Sequence, residues 1–188
     1  FDINSEEIQE IDQILPTGRF IQNPVEEDFN VLDVDLLDSS TLIVTTSRYL
    51  LAFDLSTGSF SPVMLAYTEL PELAYRTSLG GENAEDLVYV ADGRGGIHIY
   101  NTAGLKTGQG FVKKGGIDLM GVSMDIVDTN NSTIAVAAGT SLYRVDNANL
   151  NTLKTSCPIY GNYSRVVVQD GFLFVAGDSE IHIYILPD

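Results

Sequence analysis

The chain has 188 residues, enough for one compact domain, and 44% of them are apolar, enough to fill a core. Ten basic residues against 26 acidic ones leave a formal charge of −16, which excludes nucleic acid or an anionic membrane held on a broad basic face. A single cysteine, Cys157, excludes an internal disulfide framework, and no apolar run approaches the length of a membrane-spanning helix.

In chain order, "SEEIQEIDQIL" (5–15) predicts a short amphipathic helix. Ser5 caps it, Glu6 and Glu7 suit its positive end, and Ile8, Ile11 and Leu15 share one face before Pro16 and Gly18 end it. "GRFIQ" (18–22) reads as a lone strand. Beyond it helix formers thin out, and Gly, Tyr and Phe join Val, Ile and Thr in a composition of strands and tight turns.

A repeat then governs the chain. "TLIVTT" (41–46), "LVYVAD" (87–92), "TIAVAA" (133–138) and "FLFVAG" (172–177) place Val44, Val90, Val136 and Val175 at spacings of 46, 46 and 39 residues. Each is followed, after a few Gly, Ser, Arg or Asp residues, by a second run beginning at Leu50, Ile97, Leu142 or Ile181, as in a β-hairpin. Preceding strands are expected at "VLDVDLL", "VSMDIV" and "RVVV", and in the second repeat, most weakly, within "YRTSLGGENAED". Outer strands are expected in 59–67, 109–114 and 151–156.

The last repeat has no outer strand of its own, so "GRFIQ" would complete it, for four sheets of four strands. The expected fold is therefore all-β, a β-propeller with four recognisable four-stranded blades, the N-terminal strand completing the last, after a short N-terminal helix. The domains would be a helical segment at 1–17 and propeller repeats at 18–188, with approximate blades 23–67, 68–114, 115–156 and 157–188 plus 18–22. Inner strands read as nearly continuous apolar runs because a blade is covered on both faces. Ala91, Ala137, Ala138, Gly139, Ala176 and Gly177 suit the close packing at their ends.

"LVYVADGRGGIHIYNTAG" (87–104) resembles the repeat of the LVIVD family of bacterial and archaeal β-propellers, with an apolar strand ending in Ala-Asp, a Gly-rich turn and a Gly-Ile strand. Residues 172–188 match less closely, and 41–58 keep only the pattern. WD-like propeller repeats share related patterns. Hemopexin-like propellers also have four blades but join their ends by a disulfide, which one cysteine cannot supply. The LVIVD resemblance implies a surface or exported protein and no catalytic residues.

Both histidines sit in the tetrapeptide Ile-His-Ile-Tyr, at His98 and His182. Zinc needs three or four converging ligands, and the same slot holds Leu51 and Tyr143 in the other repeats, so the histidines are read as packing positions. Asp33, Asp35, Asp125 and Asp128 form the candidate metal set, for Ca²⁺ if for any ion, although no DxDxDG loop is present. "DGRGG" and "KKGG" are turns, since neither GxGxxG nor GxxxxGK[ST] occurs. G-x-S-x-G is absent, and Cys157, followed by Pro158, has no basic neighbour to activate it.

A ligand surface is expected on the loops at one end of the ring, where hairpin turns and blade links gather Arg48, Tyr49, Arg94, Tyr160 and Tyr163, with Glu69 and Glu72 nearby. The leading expectation is a non-enzymatic module, without cofactor, presenting these loops to a protein or glycan at the cell surface, outside the cell or in the periplasm. One alternative is a hydrolase- or lactonase-type propeller enzyme using a metal or the carboxylates Asp33, Asp35 and Asp125 beside Arg165 in its channel. Another is half of a larger propeller, made when two chains exchange their N-terminal strands. A start at Phe1 is read as a processed product or a piece of a longer chain. The sequons at Asn130, Asn131 and Asn162 would matter in a eukaryotic secretory protein.

Overall fold

The computed structural model describes residues 30–56, 62–81, 84–129, 133–146, 153–158, 163–178 and 180–186; for 153–158 and Tyr163 the backbone alone is described. The expected helix at 5–15 and strand at 18–22 lie outside these residues.

Among the described residues, fifteen strands form four antiparallel meanders. Sheet 1 comprises β1 (Val31–Asp38), β2 (Thr41–Thr46), β3 (Tyr49–Asp54) and β4 (Val63–Glu69). Sheet 2 comprises β5 (Arg76–Leu79), β6 (Leu87–Ala91), β7 (Ile97–Asn101) and β8 (Val112–Ile117). Sheet 3 comprises β9 (Ser123–Asp128), β10 (Thr133–Ala138), β11 (Ser141–Asp146) and β12 (Leu153–Pro158). Sheet 4 has three strands among the described residues, β13 (Tyr163–Gln169), β14 (Phe172–Gly177) and β15 (Ile181–Ile185).

All four hairpins fall where the apolar runs place them. The weakly marked strand of the second repeat is β5, shorter than its counterparts at four residues. Its first residue is a charged Arg76 and its second a buried Thr77, so little hydrophobic pattern marks it.

The sheets pack in sequence order, face to face, with β1, β5, β9 and β13 as neighbours along the inner edge of the arc. We call the face that a sheet turns to its successor the leading face, and the opposite one the trailing face. Ile43, Leu50 and Ala52 of sheet 1 meet Val88, Val90 and Tyr100 of sheet 2. Tyr89, Ala91, Ile97 and Ile99 on the leading face of sheet 2 meet Ile126, Ile134, Val136 and Tyr143 of sheet 3. Ala135, Ala137 and Leu142 then meet Val166, Leu173 and Val175 of sheet 4. Three core layers thus lie between sheets, a fourth group of Val44, Leu51 and Phe53 is buried on the trailing face of sheet 1, and a strand in a middle sheet must be apolar on both sides. Val88, Tyr89, Val90 and Ala91 are all fully buried, as the unbroken run "VYVA" requires.

The end sheets differ. β15 alternates exposed and half-buried residues, because in sheet 4 the described packing covers only the face turned to sheet 3. On sheet 1, β1 shows the same alternation.

Candidate functional site

Along the inner edge, the register aligns four charged residues. Asp33 stands opposite Thr45, Arg76 opposite Ala91, Asp125 opposite Ala137 and Arg165 opposite Ala176. These are equivalent positions of successive sheets, so the arc carries an Asp, Arg, Asp, Arg series. The small partners on β6, β10 and β14 leave room for the long or charged side chain beside them.

Each aspartate of the series reaches to the next sheet. Asp33 Oδ1 lies 2.9 Å from Arg76 Nη1, and Oδ2 accepts the Thr77 N–H at 3.0 Å. Asp125 Oδ2 accepts the Val166 N–H at 2.8 Å, its Oδ1 accepts the Ile126 N–H at 3.0 Å, and Arg165 Nε stands 3.7 Å away. Thr77 Oγ1 lies 3.3 Å from Asp33 Oδ2 and 3.2 Å from Asp35 Oδ2, so its one proton serves two carboxylates in turn. Burial, then the neighbouring Asp33 charge, pushes the Asp35 carboxyl above its ordinary range. Burial raises Asp125 too, against the two backbone N–H groups and the arginines that favour its charged form.

These bonds divide the candidate calcium set. Asp33 and Asp35 share the leading face of sheet 1, as strand alternation predicts. Asp125 faces sheet 4, whereas Asp128 faces sheet 2, accepting the Gly81 N–H through Oδ2 at 3.3 Å while its own N–H donates to Ser78 Oγ. Among the described residues, no group of three or more His, Cys, Asp or Glu side chains stands ready for a metal ion.

The histidines occupy one slot, as the repeat implies: Leu51, His98, Tyr143 and His182 pair with Val44, Val90, Val136 and Val175. His98 is buried with Nε2 3.1 Å from Asp92 Oδ2, which also accepts the Glu72 N–H at 3.1 Å. His98 therefore backs a fully buried carboxylate that ties the link between sheets 1 and 2 to the β6–β7 turn. His182 Nε2 stands 3.0 Å from Glu180.

The middle hairpin turns and the inter-sheet links do share one end. Leu70 and Ala74 donate to the carbonyls of Arg48 and Ser47, Tyr75 to that of Ala91, and Ser123 to that of Gly93. Gly93 joins these loops. Its φ is +52°, and a Cβ there would stand 2.7 Å from the Leu73 carbonyl oxygen, so glycine alone fits. Of the predicted binding residues, Arg48 and Arg94 are exposed on these turns. Tyr49 is half-buried, its ring edge-on to Tyr67 at 6.3 Å between centroids. Tyr163 begins β13 with only its backbone described, and Tyr160 lies outside the described residues. Glu69 and Glu72 are exposed on the same end.

At the other end, a cleft of about 270 Å³ between sheets 1 and 2 is lined by residues that include Asp38, Thr41, Glu85, Asp86, Thr102 and Lys106. Lys106 Nζ bonds Asp38 Oδ2 at 2.9 Å and holds that carboxyl far below its ordinary range. The sequence did not mark this cleft, since its residues come from turns of two repeats. Arg76 and Asp92 were likewise missed: Arg76 stands 15 residues before its partner Ala91 whereas Asp33 stands 12 before Thr45, so no constant spacing marks the position.

No protein-family model matches the chain, and no curated protein matches it. Solved structures do. A computationally designed protein, Ika4, superposes with a TM-score of 0.63 at 11% identity, covering 85% of this chain and 92% of that one. BamB from Moraxella catarrhalis gives 0.62 at 13% identity over 81% of this chain. The β-propeller domain of Cps50 (Swd1) from Myceliophteria thermophila gives 0.66 at 14% identity over 79% of this chain. The fold is that of a β-propeller. This chain spans 42% of that BamB chain and 49% of that Cps50 chain, under half of either.

Proposed function

We propose that this propeller is a non-enzymatic interaction module that presents its link-end loops to a protein or glycan partner. The observation that carries the reading is the exposure of Arg48 and Arg94 on turns that backbone hydrogen bonds and the Gly93 junction hold in place. A turn whose backbone is already held loses little freedom on binding, and arginine is favoured where partners bind tightly. Inside the arc, by contrast, Asp33 and Asp125 are engaged with backbone N–H groups of the next sheet. They act as structural ties, which favours the binding reading over the channel-enzyme one.

We further read the module as an LVIVD-type propeller, exported or held at the cell surface, on the strength of the 87–104 segment. Its N-terminal strand, residues 18–22, would add to the β15 edge and bring sheet 4 to the four strands of its predecessors.

A photo-crosslinking residue placed at Arg94, with a control at Lys113 on outer strand β8, tests the binding reading in extracts and on glycan arrays. The expected result is one adduct or glycan class captured from position 94, absent from 113, and lost in Arg48→Glu. Equal capture from both positions would overturn it.

A further inference from the structure

The two ends of the arc are unfinished in complementary ways. Ile-His-Ile-Tyr occurs in sheets 2 and 4 at the same strand position, yet its isoleucines have opposite fates. Ile97 and Ile99 are fully buried between sheets 2 and 3, while Ile181 is 68% and Ile183 61% exposed. By register they share the leading face of sheet 4 with Val167, Phe172, Phe174 and Ile185, of which all but the half-buried Phe174 are also exposed. A bare apolar sheet face of this size is rare in a soluble monomer and marks a contact.

Sheet 1 shows the converse. One residue after each member of the Asp, Arg, Asp, Arg series, the inner strand turns a side chain to the preceding sheet. At Thr77, Ile126 and Val166 that side chain is 7%, 2% and 4% exposed; at Val34 it is 55%. Leu36, on the same face, is 59% exposed. Farther from the inner edge this face is already closed, with Val44, Leu51 and Phe53 buried beside Leu42, Tyr49 and Met64. The open strip is therefore confined to β1. It is an inner strand, β5, β9 or β13, that nestles against the preceding sheet at each described junction.

We propose that two copies of this chain close head to tail into one ring of eight sheets, the leading face of sheet 4 in each copy packing on the β1 strip of the other. Two observations select a second copy as the occupant. The bare apolar face of sheet 4 and the bare strip of β1 each offer what the other leaves uncovered. The charges agree as well: Arg76 has Asp33 before it and acts on Asp125 after it, so Arg165, which has Asp125 before it, would find the equivalent Asp33 of the second copy. A contact between unlike surfaces stays finite only when it closes, and two half-rings do so. The inference concerns sheet faces and is independent of the loop-end reading above.

Sedimentation of the 188-residue chain at micromolar concentration provides the test, with far-UV circular dichroism to show that every variant is folded. The wild type is expected at twice the mass of one chain. Val34→Glu and Ile183→Glu, each placing a charge in the contact, should weaken association about a hundredfold or more. An equimolar mixture of the two variants should recover two-chain species, because one of its two contacts then joins an intact sheet 4 to an intact β1. A single-chain mass for the wild type, open-ended assembly, an inert Val34→Glu, or no recovery in the mixture would each overturn the proposal. A further capture by position 94 would be unaffected in any of these cases, so the two readings fail separately.

Discussion

Asp125 Oδ2 takes the backbone N–H of Val166 at 2.8 Å, joining sheet 3 to sheet 4 through a buried carboxylate, and Asp33 makes the same reach to Thr77 from sheet 1 to sheet 2. The same tie thus recurs at the first and third junctions, each leading to a sheet that carries Ile-His-Ile-Tyr, while Asp128 joins sheet 3 to sheet 2 through the Gly81 N–H. Truncating the aspartate leaves a buried N–H without an acceptor. Asp125→Ala is expected to cost about 2–3 kcal/mol, and Asp33→Ala a comparable amount, as measured by urea unfolding. Asp125→Asn, which keeps an acceptor oxygen, should recover part of the loss.

Acidity separates two kinds of carboxylate. Asp35 and Asp125 bind their protons more tightly in the folded chain than in the unfolded one, so their ionisation opposes folding above the folded value. That penalty fades as the pH falls toward the ordinary carboxylate value of 3.8. Asp38, held down by Lys106, does the reverse: its contribution is present above 3.8 and is lost as the pH falls through its lower folded value. Melting temperature should therefore rise as the pH falls through the raised folded values of Asp35 and Asp125, and decline below 3.8 as Asp38 takes its proton. Asp35→Asn should flatten the rise and Lys106→Met the acid decline, as scanning calorimetry across pH will show.

Gly93 carries three loops on one left-handed residue. Gly93→Ala forces a Cβ against the Leu73 carbonyl at unfavourable φ and is expected to lower stability by about 1–3 kcal/mol. It should also reduce any binding through Arg48 and Arg94, whose turns it aligns. A variant with unchanged thermal denaturation would remove Gly93 from this role.

Much of the architecture was legible because packing on both faces leaves a strong mark: "LVYVA" and "TIAVAA" are apolar throughout since sheets cover both sides of β6 and β10. The histidine slot was legible for the same reason, each repeat filling it with whatever packs. β5 was faint, because two of its four residues are Arg76 and Thr77, which serve polar ties to Asp33. The charged series along the arc was hidden, since its members lie 43, 49 and 40 residues apart and only register aligns them. The separation of Asp125 from Asp128 was readable from strand parity, three residues placing side chains on opposite faces. The bare face of sheet 4 was not, because "IHIY" is written identically where it is covered and where it is not.

That identity supplies the most direct test of the arc itself. Ile99→Ala and Ile183→Ala remove the same atoms from the same tetrapeptide, and urea unfolding at dilutions that keep the chain single compares them on equal terms. The arc predicts a loss of about 2–4 kcal/mol at Ile99, between sheets 2 and 3, and of no more than about 0.5 kcal/mol at Ile183. Equal losses at the two positions would contradict it.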